Sequence, residues 1–149
     1  MENALAKKAA EIAAEFHGQG YNCAESIFLT FRKYITPELS EDFVRLATPF
    51  GAGLGRAGCM CGALSGATMI LGAAKGRTGL ETGKNPSYQL SHEYHDQFKT
   101  KFGGTCCRSL NRDKFGSKEQ GERCNKIVTE GAELLMNFLI DKGIVSSAQ

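Results

Sequence analysis

The sequence predicts an all-α fold: a compact bundle of five to six helices forming a single domain over residues 1–149. Three observations carry that expectation. Apolar residues recur three and four apart through most of the chain. Glycine, proline and asparagine stand between these runs, where helices start and stop. No stretch alternates apolar and polar residues long enough to make a strand. A chain of 149 residues is also long enough to bury a core of its own.

The elements follow in order. Leu5, Ala9, Ile12 and Phe16 share one helix face, and Gly18-Gln19-Gly20 ends that helix. Asn22 is placed to cap a second helix, with Ala24, Ile27, Phe28, Phe31 and Ile35 facing inward and Pro37 beyond its end. Ser40, followed by Glu41 and Asp42, reads as a third start carrying Phe43, Leu46 and Ala47 inward. Pro49 and a glycine-rich stretch stop it. A fourth helix is expected from about Met60 to Lys75, then a loop over residues 76–84. Pro86 suits the first turn of a fifth, whose stripe is Leu90, Tyr94, Phe98 and Phe102, ended by Gly103-Gly104. Residues 106–112 suit a short helical turn. The last helix is expected from near Gly121 to Gly143, with Ile127, Val128, Leu134, Leu135, Phe138 and Leu139 as its apolar positions.

Composition narrows the function classes. A net charge of +2 is too small to argue for nucleic acid or an acidic membrane surface. The opening residues MENALAKKAAEIAAEF lack the apolar core and small-residue cleavage site of a signal peptide, so the expected location is cytoplasmic. Residues 57–74 carry no charge, but they are rich in Gly, Ala, Ser and Thr. They are also shorter than the roughly 20 predominantly apolar residues of a membrane span. A buried helix is the expected reading, with no membrane partner.

Six cysteines are the outstanding feature: Cys23, Cys59, Cys61, Cys106, Cys107 and Cys124. In a reducing compartment such a set points to metal, cluster or redox chemistry rather than to staples. Cys23, Cys61, Cys107 and Cys124 each follow glycine and fall near an expected helix N-terminus. Unpaired amide N–H groups and the helix dipole there stabilise a thiolate. They lower a cysteine pKa from about 8.5 into the range of roughly 3.5–7.5. Glycine beside a cysteine also lets backbone amides donate to sulfur, and Gly62 is counted with the cofactor-binding residues for that reason. Cys59 and Cys106 are further candidate ligands. A vicinal Cys106–Cys107 disulfide would strain the backbone and is not expected. The competing structural reading is that a buried cysteine simply fills core space.

Other patterns are weaker. Gly53-Leu54-Gly55-Arg56-Ala57-Gly58 matches GxGxxG, but the segment before it reads as helix, and a dinucleotide site needs a strand there. Gly58, Gly62 and Gly66 are four apart, which allows two helix backbones to approach closely. The early glycines are expected to shape a loop that delivers Cys61 to a helix start. His92 and His95 lie off the apolar stripe of their helix and read as surface residues, and His17 at a helix end reads as idle. Arg108, Arg112, Lys114 and Lys118 read as a solvated basic loop. No C-x-x-C, zinc-ribbon or ferredoxin spacing is present, so spacing alone does not name a cofactor.

The chain resembles the bacterial and archaeal redox-active proteins known by their C-GCAxxG-C-C motif. The residues that carry the resemblance are Gly20-Tyr21-Asn22-Cys23-Ala24 and Cys61-Gly62-Ala63-Leu64-Ser65-Gly66. Phe102-Gly103-Gly104-Thr105-Cys106-Cys107-Arg108 and Cys124-Asn125-Lys126-Ile127-Val128 complete it. The third cysteine aligns at Cys107. A similar cysteine domain occurs in split-Soret cytochrome c, where it is associated with an iron–sulfur cluster, so the resemblance implies cluster binding. No C-x-x-C-H motif is present, so the haem part does not carry over. Cys59 and Cys106 depart from the four-cysteine pattern.

Three functions are therefore expected to compete. The first is electron transfer through an iron–sulfur cluster on Cys23, Cys61, Cys107 and Cys124, serving a redox partner protein. The second is a cofactor-free thiol–disulfide protein cycling a pair of those cysteines. The third is a zinc-stabilised binding module. All shared-site chemistry requires the four sulfurs to converge; a site split across a homodimer is the one other arrangement.

Overall fold

The computed structural model describes residues 3–147, the side chain at position 113 excepted. It is all-α, with no strand among the described residues. The main elements are α1 (Ala4–Gln19), α2 (Cys23–Ile35), α3 (Gly62–Lys75), α4 (Asn85–Phe102), the short α5 (Cys107–Asn111) and α6 (Lys118–Asp141). No described helix is long and apolar enough to cross a membrane.

Helix α2 lies at the centre, packed against α1, α3 and α6. Asn22 starts it through a capping box: its side chain accepts from the Glu25 N–H, and Glu25 accepts from the Asn22 N–H, both at 2.9 Å. Burial nearly all round the helix includes Ser26 and Thr30. Their hydroxyls donate to the carbonyls of Asn22 and Ser26, both at 2.7 Å, so no polar group is stranded there.

Helix α1 packs along α6 by a face rotated from the expected one, with Ala9 common to both. Its buried residues are Ala6, Ala9, Ala10 and Ala13. Leu5, Ile12 and Phe16 are only half-buried at the rim. Alanine has no side-chain bulk to hold the two helices apart, so close approach selects that face. The expected third helix is replaced by two 3₁₀ turns, Glu41–Leu46 and Thr48–Phe50. Ser40 does cap the first, accepting from the Asp42 N–H at 3.2 Å. Phe43 and Leu46 are exposed and only Ala47 is buried. Pro37 and Pro49 leave too little chain between them for an α-helical nucleus to propagate.

In α4 the expected stripe is present: Tyr94 and Phe98 are fully buried, with Leu90 and Phe102 half-buried against the same core. Tyr94 packs edge-on to Phe138 at 5.3 Å and donates its hydroxyl to the Gly131 carbonyl at 3.2 Å. Tyr94→Phe is expected to lower stability by about 1 kcal/mol, read as a lower urea midpoint with unchanged slope. An unchanged midpoint would show that this bond contributes nothing net.

Helix α6 starts at Lys118 rather than near Gly121. Cys124 therefore sits in its second turn, away from the N-terminal amides, contrary to expectation. Gly143, at φ 71°, ends the C-terminal turn as expected.

Candidate functional site

Three of the four motif cysteines sit at helix starts. Cys23 is the first residue of α2, Cys61 occupies the cap position of α3, and Cys107 is the first residue of α5. The route into α3 differs from the expected helix start near Met60. Ala52, Gly53, Leu54, Gly55 and Arg56 all have positive φ, which makes a left-handed turn. The non-glycine members each carry about 1 kcal/mol or more of strain. That turn aims the Ala52 N–H at the Cys23 sulfur. Gly53 is required inside it, because a Cβ there would run into the backbone of Gly58 and Cys59. The GxGxxG match thus continues a left-handed turn whose amide donor to the thiol, Ala52, lies just before it, and 3₁₀ turns rather than a strand precede it.

Gly62 and Gly66 let α3 press against α2. A Cβ on Gly62 would overlap the Cys23 sulfur, and one on Gly66 would stand 2.8 Å from the Ala24 carbonyl oxygen. Gly58 is not part of this face; it lies outside the helix, against the Arg108 side chain.

The four motif cysteines of the chain lie near enough to act on one another electrostatically. The Cys61 thiol donates to the Cys107 sulfur. Cys23 acts electrostatically on Cys61 and Cys124, and Cys107 on Cys23, Cys61 and Cys124. Cys23, Cys61 and Cys107 are buried; Cys124 is half-buried. A cleft of about 370 Å³ opens onto Cys23 and Cys124, with His17, Asn22, Arg56 and Gln120 among its walls. His17, expected to be idle, is held there by Asn125 at 3.1 Å, and burial lowers its pKa.

The expectation that all four thiols are acidified fails for three of them. Burial raises Cys23 above the usual thiol range, against donation from the Ala52 N–H. Cys61 lies well above it, chiefly because it gives its proton to the Cys107 sulfur, with burial second. Burial also pushes Cys124 up to about 11, with Cys23 and Cys107 adding to the shift. Cys107 alone is lowered, to about 7. The Cys61 hydrogen bond is the main cause, helped by the N–H groups of Gly62 and of Cys107 itself, while burial opposes. Desolvation outweighs the helix start wherever the sulfur is enclosed without a strong donor.

Cys59 and Cys106 are placed as a disulfide pair, with Cα atoms 4.2 Å apart. Around them, Cys61 N–H donates to the Thr105 carbonyl at 2.7 Å, and Arg108 N–H to the Gly58 carbonyl at 2.9 Å. Arg108 does more than line a solvated loop. Its guanidinium lies 4.4 Å from the centre of the Phe115 ring and donates to the Ala57 carbonyl at 3.4 Å. His92 and His95 both face Asp96 at the surface, as expected.

The fit to a metal is mixed. The donor chemistry suits one, since four free thiols are present and backbone N–H groups donate to Cys23, Cys61 and Cys107. Among the described residues, however, no group of three or more His, Cys, Asp or Glu side chains is arranged to hold a metal ion.

The sequence model of the family described as "Putative redox-active protein (C_GCAxxG_C_C)" matches residues 21–138. The chain belongs to this family. In C_GCAxxG_C_C terms, the first cysteine is Cys23, the core is Cys61 to Gly66, and both lie on the α2–α3 contact described above. The family's redox character places this protein among redox-active proteins. Comparison with curated proteins and with solved structures gives no match.

Proposed function

We propose that the protein is a thiol–disulfide redox protein whose working pair is Cys61 and Cys107. One observation carries this reading: the Cys61 thiol is hydrogen-bonded to a Cys107 sulfur held near neutrality, at about 7. Thiolate attacks a disulfide, and a pKa close to ambient pH balances thiolate fraction against nucleophilicity. Cys107 forms a bond to one sulfur of a disulfide, whose other sulfur leaves as thiolate. Cys61 then attacks the Cys107 sulfur, and its proton passes to the departing thiol. Two electrons leave the protein, and Cys61–Cys107 becomes the disulfide.

A second reading is favoured by four free cysteines that act on one another electrostatically, where a dithiol needs two. In it, Cys23, Cys61, Cys107 and Cys124 hold an iron–sulfur cluster, which would supply one-electron transfer, with the Gly62 and Ala52 amides as donors to sulfur. Iron, sulfide and zinc analysis of anaerobically purified and reconstituted protein separates the readings. Metal-free protein with a reversible Cys61–Cys107 disulfide supports the first. Stoichiometric iron and sulfide bound by all four cysteines displaces it, and zinc alone points to a structural site.

Thiolate ultraviolet absorbance of the reduced protein is expected to rise through a midpoint near pH 7 from Cys107. Below that midpoint Cys107 is protonated and exchange slows; above it the thiolate dominates. Cys61→Ala removes the principal donor, so the midpoint should move up toward the ordinary thiol value. A midpoint unmoved by this substitution would contradict the assigned cause.

A further inference from the structure

Cys61 and Cys107 are buried, so a disulfide in solution has no direct approach to them. Cys59 and Cys106 are placed differently. Cys59 is exposed, Cys106 is half-buried, and the two are joined. Both pairs are strung on the same two segments: Cys59 and Cys61 on one, Cys106 and Cys107 on the other. The backbone hydrogen bonds from Cys61 to Thr105 and from Arg108 to Gly58 also tie these segments together, antiparallel, on either side of the S–S bond. Opening that bond therefore leaves Cys59 and Cys106 facing each other, ready to close again at high effective concentration.

We propose that Cys59 and Cys106 are an outer dithiol–disulfide couple that relays oxidising equivalents between small thiols in solution, such as glutathione, and the buried Cys61–Cys107 pair. The relay rests on the reading of Cys61–Cys107 as the working dithiol. Loading oxidises the outer couple: the Cys59 thiolate attacks glutathione disulfide and releases one glutathione. Cys106 then attacks the Cys59 sulfur and releases the second, the two thiol protons leaving with the two glutathiones. Transfer inward is internal. The Cys107 thiolate attacks the Cys59 sulfur, breaking Cys59–Cys106 and freeing Cys106 as thiolate. Cys61 gives its proton to Cys106 and attacks Cys107, freeing Cys59. Two electrons pass from the inner pair to the outer one, and no outside reagent is consumed in that step. Cys59 is the target because attack on Cys106 would close a strained vicinal ring.

The test follows the fully reduced, full-length protein after addition of glutathione disulfide, by quenched differential alkylation and peptide mass spectrometry. Cys59 and Cys106 should oxidise first and Cys61 and Cys107 afterwards. In a C59S/C106S double variant, oxidation of the inner pair by glutathione disulfide should slow by about tenfold or more, while the small oxidant diamide still closes it. Equal glutathione rates in both proteins would overturn the relay and direct entry to the cleft at Cys23 and Cys124. Simultaneous or inner-first oxidation in the unmodified protein would overturn it even if the variant fails to fold. A Cys61–Cys107 pair that diamide cannot close in either protein removes the working dithiol itself, a failure distinct from that of the relay.

Discussion

Gly62→Ala is expected to lower stability by about 1–3 kcal/mol and to disturb the thiol site at the same time. The added methyl would occupy the space of the Cys23 sulfur, and it would stand 3.1 Å from the Ala24 nitrogen and 3.3 Å from the Phe50 carbonyl oxygen. Two of these three neighbours are backbone, so relief requires α2 and α3 to separate. Gly66→Ala meets the Ala24 carbonyl oxygen at 2.8 Å and should destabilise to a similar degree without touching a sulfur. Gly131→Ala is the control. Its Cβ would find its nearest atoms at 3.8 and 4.0 Å in an ordinary helix, so it should be neutral or stabilise by about 0.5–1 kcal/mol. Urea unfolding of the three variants checks the order, and thiol absorbance of Cys107 checks the site. If Gly62→Ala unfolds no more easily than Gly131→Ala, the close α2–α3 contact is not what the motif glycine serves.

Opening the Cys59–Cys106 disulfide is expected to cost about 4 kcal/mol of stability. The bond spans a sequence separation of 47, and loop-closure entropy of the unfolded chain gives roughly that figure for a loop of this length. The oxidised protein should therefore show the higher urea midpoint, and C59S/C106S should match reduced wild type. The same free energy runs in the other direction by linkage: the native bracket favours the disulfide over the unfolded chain by about a thousandfold, which is the converted 4 kcal/mol. Coincident midpoints for oxidised and reduced protein would show that the unfolded chain already holds these cysteines together.

Much of the fold could be read from periodicity and punctuation. The Asn22 cap, the Tyr94–Phe98 stripe and the glycines after α1 and α4 are local signals, and each acts locally in the structure. The face of α1 was not legible in the same way. Bulky residues dominate a hydrophobic pattern, whereas close helix approach selected the alanines. The third helix failed because two prolines outweighed a sound capping signal. At the site, the shared placement of Cys23, Cys61 and Cys107 at helix starts was visible in the spacing of glycine before cysteine. Their protonation was not, because it depends on tertiary surroundings: burial reversed the expected shift at Cys23 and Cys124, and the hydrogen bond to Cys107, with burial second, reversed it at Cys61. The Cys59–Cys106 pairing also escaped sequence reasoning: it depends on the antiparallel meeting of residues 58–61 with residues 105–108, which no local pattern announces. The glycine loop carried a misleading motif, since left-handed backbone serves a sulfur as readily as a phosphate.

The central claim is that Cys61 and Cys107 form the redox couple among the four motif thiols. Peptide-level disulfide mapping across a series of glutathione poises tests it most directly. The account predicts a Cys61–Cys107 linkage that appears as the poise becomes oxidising and disappears on return, with Cys23 and Cys124 remaining thiols. Cys61 and Cys107 staying reduced at every poise, or a Cys23–Cys124 linkage forming in their place, would contradict it.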